Sequence, residues 1–343
     1  MGNLAVSAAA ATQRVGITAV GHYFPERVVT TKELEEIICS DSDGLRIPSG
    51  LLERVSGIRS RHVAAAHEQA SDLAAAAARN LMGRHQVDPA SIDLLLFSSA
   101  SRDFVEPATA HVVQDLLGTN AHALDVTNAC NSFLNGMDIA RAMIIAGRAR
   151  RVLVCSGEIP TRAIRTKIAD LAELHRSFAG YTFGDVGAAM IIEAVPSGGI
   201  ISVDARAYSE HWRIGGIFGG GTRYPRDFEH TYFHGDGEQL RLAFESIGAE
   251  PILAAVAAAG TSLDEIDRVL CHQVTVSYLK RFAEVIGVDM SRIVRTVDTY
   301  GNLASCSIPV QLSLTWDTIE PGERTLFVGL GGGASLALAV WEK

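Results

Sequence analysis

Residues 125–140 read DVTNACNSFLNGMDIA, with one cysteine between a strand-like approach and an amphipathic run. Helical steps from Cys130 place Phe133, Met137, Ala140 and Ile144 on one face, with Asn135, Asp138 and Arg141 largely elsewhere. That is the apolar stripe of a helix lying on a core. Gly147 is suited to cap its C-terminal end. Cys130 then falls in or just before the first turn, where free backbone N–H groups and the helix dipole stabilise a thiolate and lower its pKa. An unpaired cysteine is also among the most commonly buried residue types. The rest of the chain decides between nucleophile and core filler.

Around this stretch, short β-like runs alternate with helical ones. RVGITAVGHYF, IDLLLFSSA, RVLVCSGE and GAAMIIEA read as strands, and QASDLAAAAARNLMG reads as a helix before the second of them. The second half repeats the order with GGIISVDARAY, IDRVLCHQV, RTLFVGLGG and ASLALAVWE, and EQLRLAFESIGAEPILAAVAAAG fills the helical slot. The offset from Asp93 to Asp267 equals that from Arg150 to Arg324. Self-similarity over half a chain points to two related α/β units packed as layers of helix and sheet, residues 1–195 and 196–343. Gly187 and Gly333 stand closer together than that offset, so the first half carries an insertion, within about 159–186. This inserted arm has helical spacing and three basic residues, Arg162, Arg165 and Lys167. A solvated surface helix and a lid or docking arm are both open readings of it.

The totals narrow the class. The chain has 343 residues, 48% of them hydrophobic and 20% charged, enough for two domains or two halves of one large core. Five cysteines without a CxxC spacing argue against a disulfide framework or a zinc site and for a reducing, cytoplasmic setting. The first residues, MGNLAVSAAAATQR, lack a signal peptide's basic start and apolar run, and Val6 weakens a myristoylation reading of Gly2. No apolar run reaches membrane-spanning length. A net charge of −9 opposes non-specific binding to nucleic acid.

A thiolate that transfers acyl groups needs donors for its substrate and an oxyanion site. His272 in CHQVT ends a predicted strand, Asn302 follows Tyr300 and Gly301 in a turn, and GLGGGAS offers backbone N–H groups at Gly331 to Gly333. Cys306 falls near the repeat position of Cys130 and is followed by Pro309, so it reads as the structural counterpart of Cys130 at the start of a second helix. The glycine-rich GGIFGGGTRYP at 215–225 lacks the GK[ST] of a phosphate loop and reads as a plain loop.

Taken together and in order, Cys130 in TNACNSF, His272 in CHQVT, Asn302 in YGNLASCSIP and the terminal GGG strand resemble the β-ketoacyl-ACP synthase III branch of the thiolase superfamily. GIRSRH at 57–62 and FGDVGAAMI at 183–191 also fit, and the match runs over nearly the whole chain. The resemblance implies a five-layered αβαβα fold of two duplicated halves, normally a homodimer, with acyl-CoA or acyl carrier protein thioesters as substrates and no further cofactor or metal. It implies a ping-pong Claisen condensation. In it Cys130 takes the acyl group, His272 and Asn302 hold the second thioester's developing enolate, and the N–H groups of Cys130 and Gly333 form the oxyanion hole.

Two departures narrow the subtype. Where fatty-acid-initiating members grip CoA with a Trp and an Arg, this chain has Leu51 and Val55, and Thr275 replaces an Asn of their HQAN. RIPSGLLERVSGIRSRH, RDFVEPATA and TNACNSFLNGMDIA instead resemble the thiolases that join two acyl chains head to head in bacterial olefin biosynthesis. There a glutamate at the position of Glu106 serves as base in the partner subunit's site, and an apolar pocket would raise its pKa towards neutrality. Glu106, just before Pro107, also suits a helix N-terminus. The alternatives are a decarboxylative enzyme using malonyl-ACP, acyl transfer to an alcohol or amine, and a non-catalytic partner subunit. An acidic carrier protein would dock on a local basic patch, for which Arg148, Arg150 and Arg151 and the arm's Arg162, Arg165 and Lys167 are candidates.

Overall fold

Two sheets, each buried on both faces, carry the fold of this computed structural model, which describes residues 13–343. The readings of the first residues, signal peptide and Gly2, lie outside the described residues. The first sheet has the order Val15–Tyr23, Val186–Ala194, Arg151–Glu158, Leu94–Ser98, His122–Val126. The second has Gly199–Ala207, Ser335–Glu342, Arg324–Gly331, Arg268–Cys271 in the equivalent order. Both run antiparallel, antiparallel, then parallel. The fifth place in the second sheet is held only by a parallel bridge between Val269 and Ile293.

Burial on two faces explains why the strands are continuous apolar runs rather than alternating ones. Val152 and Val154 face the space between the sheets, while Leu153 and Cys155 face the outer helices. Between the sheets lie the helices Ser132–Ile145 and Ser307–Thr315, one from each half. A single core joins Val154 and Met190 of the first sheet, Phe133 and Leu312 of these helices, and Phe327 and Trp341 of the second sheet. Helices Ala70–His85 and Thr109–Leu117 cover the first sheet outside, and Glu250–Ala258 and Val276–Ile286 cover the second. The layers are αβαβα, thiolase-like.

The alanine-rich helix Ala70–His85 lies on its sheet at backbone distance. A Cβ on Gly157 would stand 1.8 Å from the Ala70 carbonyl oxygen, and one on Gly187 2.0 Å from that of Leu73. Glycine at these strand positions is what lets the helix settle.

The duplication reaches side-chain detail. Arg151 pairs across its sheet with Glu193 (2.7 Å) and donates to Ser91; Arg324 pairs with Glu342 (3.1 Å) and donates to Thr261. The backbone N–H of Arg151 donates to Asp93, as that of Arg324 does to Asp267. The repeat partner of Arg324 is therefore Arg151 rather than Arg150. Two helical expectations are also corrected. The 238–260 run breaks into Gly237–Ile247 and Glu250–Ala258 at Gly248, whose φ of +67° ends the first helix. The inserted arm is helical only over Leu171–Ser177, with short 3-10 turns at either side. Its Ile168, Leu174 and Tyr181 pack with Val29, Leu34, Ile38 and Leu52 in a small separate core, so it is neither a solvated helix nor a free lid.

Candidate active site

The chain leaves strand His122–Val126 and turns sharply before the helix Ser132–Ile145. Ala129 has φ +48°, a left-handed conformation rare for a residue with a Cβ. The Ser132 hydroxyl holds the turn, accepting from the Asn128 N–H (2.8 Å) and donating to the Ala129 carbonyl (2.7 Å). Cys130, on this elbow, is partly exposed and lines a cavity of about 660 Å³.

His272, Asn302 and Gly331 to Gly333 line the same cavity, so the chemistry-bearing residues of both halves converge there. Strand Arg268–Cys271 delivers His272, whose backbone N–H donates to Val328 (2.9 Å) and whose Nδ1 lies 3.4 Å from the Ser307 hydroxyl. Burial drives its imidazole down to about 4, only partly opposed by a hydrogen bond to the Ala304 backbone. Asn302 is buried; its Oδ1 accepts from the Ala304 N–H (3.0 Å), which orients the amide and leaves its NH₂ as the free donor.

The thiol does not have the lowered pKa that its helix-start position predicts. Burial first, then the Glu158 carboxylate, push Cys130 up to about 12; the N–H groups of Gly332 and of Cys130 itself pull the other way. The glycine N–H reaching the sulfur is that of Gly332, beside the predicted oxyanion donor Gly333, which also lines the cavity with φ +83°.

Glu158 escaped the sequence reading, although it ends the apolar strand RVLVCSGE, where a charge needs a reason. It is fully buried and lines the cavity. Its carboxylate accepts from the N–H groups of Ala100 (2.8 Å) and Ser101 (3.1 Å) and from the hydroxyls of Ser101 (2.8 Å) and Ser305 (2.5 Å). These four hydrogen bonds tie its carboxylate to the start of the loop that continues to Glu106.

Glu106 itself is exposed and does not line the cavity of this chain. Nor does it serve the helix beginning at Thr109, whose first N–H groups donate to Asp125 (2.9 and 2.8 Å). Thr275 lies outside the cavity lining; its hydroxyl caps helix Val276–Ile286 by accepting from the Tyr278 N–H (3.1 Å). The arm's basic residues do not form one patch. Arg162 lines the cavity and donates to Gln69 (2.8 Å) and to nearby carbonyls. Arg165 is neutralised by Glu173 and Glu229 and stacks on Tyr232, while Lys167 stands exposed.

Cys306 is also displaced by one position from its expected role. The second elbow has its left-handed alanine at Ala304 (φ +47°) and its helix starting at Ser307. These follow Ala129 and Ser132 at one and the same offset. The counterpart of Cys130 is thus Ser305, and Cys306 matches Asn131.

Two duplicated αβα halves meeting at a cysteine elbow, with a histidine and an asparagine from the second half, define a thiolase-like acyl-transferring enzyme. The family described as 3-oxoacyl-[acyl-carrier-protein (ACP)] synthase III matches residues 124–209, and the C-terminal part of that family matches 256–343. A beta-ketoacyl-[acyl-carrier-protein] synthase III of Dinoroseobacter shibae is 32% identical, over 94% of this chain and 97% of its own. An acyl-CoA:acyl-CoA alkyltransferase of Xanthomonas campestris is 29% identical, over 96% and 99%. A crystal structure of Xanthomonas campestris OleA, solved with bound lauric acid and lauroyl-CoA, superimposes with a TM-score of 0.87 at 27% identity, covering 97% of this chain and 100% of that one. The chain belongs to the 3-oxoacyl-[acyl-carrier-protein] synthase III family. Among its described residues no helix is long and apolar enough to cross a membrane.

Proposed function

We propose that this protein condenses two acyl thioesters by a ping-pong Claisen reaction through an acyl-Cys130 intermediate. The observation that carries the reading is the convergence of Cys130, His272, Asn302 and the Gly331–Gly333 amides on one cavity. A thiol near 12 and an imidazole near 4 are both neutral at pH 7. Attack on the thioester therefore requires the thiol proton to leave as the S–C bond forms, and the neutral imidazole is the acceptor in reach of the same cavity. The carrier thiolate departs and takes a proton. In the second half-reaction the imidazole, having passed its proton to the departing carrier thiolate, is neutral again; an α-carbon of the next thioester loses its proton to a base, the Asn302 amide and the imidazole N–H donate to the enolate oxygen, and the new C–C bond expels the cysteine sulfur, which takes up a proton.

The proton-abstracting base comes, in this reading, from Glu106 of a second copy of the chain. The cavity's own carboxylates are committed, Glu158 to four donors and Asp103 to the Ser71 N–H (3.1 Å). That same commitment favours a second reading, in which a malonyl donor supplies the enolate by losing CO₂ and no base is needed. Arg162 and Lys167 remain the arm's candidates for contact with an acidic carrier.

Intact-protein mass after exposure to acyl-CoA should rise by one acyl group in the wild type and not in Cys130→Ala. Equal labelling of the variant overturns the nucleophile assignment. β-Keto product from acyl-CoA alone supports the first reading; product and CO₂ only with malonyl-ACP support the second.

A further inference from the structure

The residue that follows the cysteine, Asn131, reaches across to the other half of the chain. Its side chain is fully buried, and its Nδ2 donates to both the carbonyl (3.0 Å) and the hydroxyl (2.9 Å) of Ser335. Two glycines of strand Arg324–Gly331 make room for it. A Cβ on Gly329 would stand 2.2 Å from the Asn131 Oδ1, and one on Gly331 2.9 Å from its Nδ2. Ser335 pairs with Gly331 across the hairpin and so closes the turn through Gly332, Gly333 and Ala334. Gly333 (φ +83°) and Ala334 (φ +56°) are both left-handed in that turn. One amide from the first half therefore holds the closing residue of the second half's glycine turn, the turn whose Gly332 N–H reaches the Cys130 sulfur.

Packing alone does not call for an amide at this position. The Asn131 Oδ1 is buried and has no partner among the described residues, a loss that an apolar side chain of similar volume would avoid. The matching place in the second elbow is filled by Cys306, a buried thiol within the central core. The amide thus stands only on the elbow that presents a nucleophile. An oxyanion donor lowers a barrier only when it is fixed where charge develops, and here the cysteine elbow and the glycine turn come from different halves. We infer that Asn131 is a positioning residue: through Ser335 it holds the Gly332–Gly333 turn against the Cys130 elbow and keeps the oxyanion site assembled. The inference rests on the acyl-Cys130 reading above and adds to it what joins the two parts of the site.

Asn131→Ala should lower kcat for Cys130 acylation by acyl-CoA about tenfold or more with KM within about twofold, because a displaced oxyanion donor is lost to the transition state more than to the bound substrate. Asn131→Ser, too short to reach Ser335, should behave alike and serves where Asn131→Ala does not fold. Ser335→Ala keeps the carbonyl and should cost less, and Asn131→Ala with Ser335→Ala should be no slower than Asn131→Ala alone. Cys306→Ala, a truncation at the matching place in the second elbow, should keep the wild-type rate. Amide hydrogen exchange over residues 329–336, read by mass, should speed up in Asn131→Ala and not in Cys306→Ala. Unchanged exchange there, a wild-type kcat, or additive losses in the double variant overturns the clamp. A raised KM at unchanged kcat overturns it in favour of a contact with bound substrate. If wild-type Cys130 is not acylated at all, the condensing reading fails, and the exchange measurement still judges the clamp alone.

Discussion

At the scale of single residues, the site is a set of neutral groups waiting for a proton transfer. Cys130, pushed to about 12, is a thiol throughout the physiological range, and His272, held near 4, is an imidazole. A raised thiol pKa means the reactive thiolate grows only as pH climbs. Alkylation of Cys130 by a small haloacetamide should therefore keep rising through pH 9 and show no plateau near neutrality. A plateau at pH 6–7 would mean a preformed thiolate–imidazolium pair and contradict the geometry. His272→Ala should slow acyl-enzyme formation as well as condensation, whereas Asn302→Ala should acylate normally and lose condensation by about 10²-fold, the usual cost of an oxyanion donor. Single-turnover acylation followed by product analysis separates the two. Sequence reading singled out the three residues that line one cavity because their types and order are informative, but expected a lowered thiol pKa where burial raises it. A helix start is visible in a sequence; the burial and the Glu158 carboxylate that outweigh it come from packing and from the end of a different strand.

At the scale of elements, two close approaches fix the site. The elbow before Ser132–Ile145 turns on Ala129, and the outer helix Ala70–His85 rests on Gly157 and Gly187. Gly157→Ala should destabilise the protein by about 2 kcal/mol or more, since the added methyl meets backbone rather than a movable side chain. Chemical denaturation of the variant checks this, and a change under ~0.5 kcal/mol, the range of a neutral surface substitution, would show that the helix can lift off. Because Glu158 follows Gly157 directly, the lift should also slow Cys130 acylation. Strands were the most legible elements: RVLVCSGE is the observed strand Arg151–Glu158, residue for residue. Of HALDV at 122–126 only the end was read as a strand-like approach, because Asp125 breaks its short apolar run and parallel pairing with Leu94–Ser98 makes it a strand. The arm misled for the opposite reason: its helical spacing is real, but short 3-10 turns and a separate core claim the apolar residues.

At the scale of the whole molecule, the loop from Ser101 to Ala108 is the feature one chain leaves unfinished. Phe104 and Val105 are 53% and 69% exposed beside Glu106, an apolar tip that monomeric proteins rarely leave uncovered. In the proposed reading, a second copy would cover this loop and take Glu106 into its own site. Phe104→Asp with Val105→Asp should shift the protein to monomers in sedimentation, and condensation should fall while Cys130 still acylates. Mixing Glu106→Ala with Cys130→Ala protein should recover partial condensation through hybrid dimers; no recovery, with each variant folded and mixed dimers detected, would return the base to the decarboxylative route.

The paired elbows have a consequence of their own. Each half makes the same left-handed alanine turn into a buried helix, yet one turn presents sulfur and the other presents the Ser305 hydroxyl to Glu158. The molecule is thus built with twofold backbone symmetry and one-sided chemistry. Geometry alone does not make a nucleophile here, because the same geometry occurs twice. What distinguishes the two turns is access: Cys130 opens on the cavity, whereas Ser305, 3% exposed, is spent inside as a clasp between the halves.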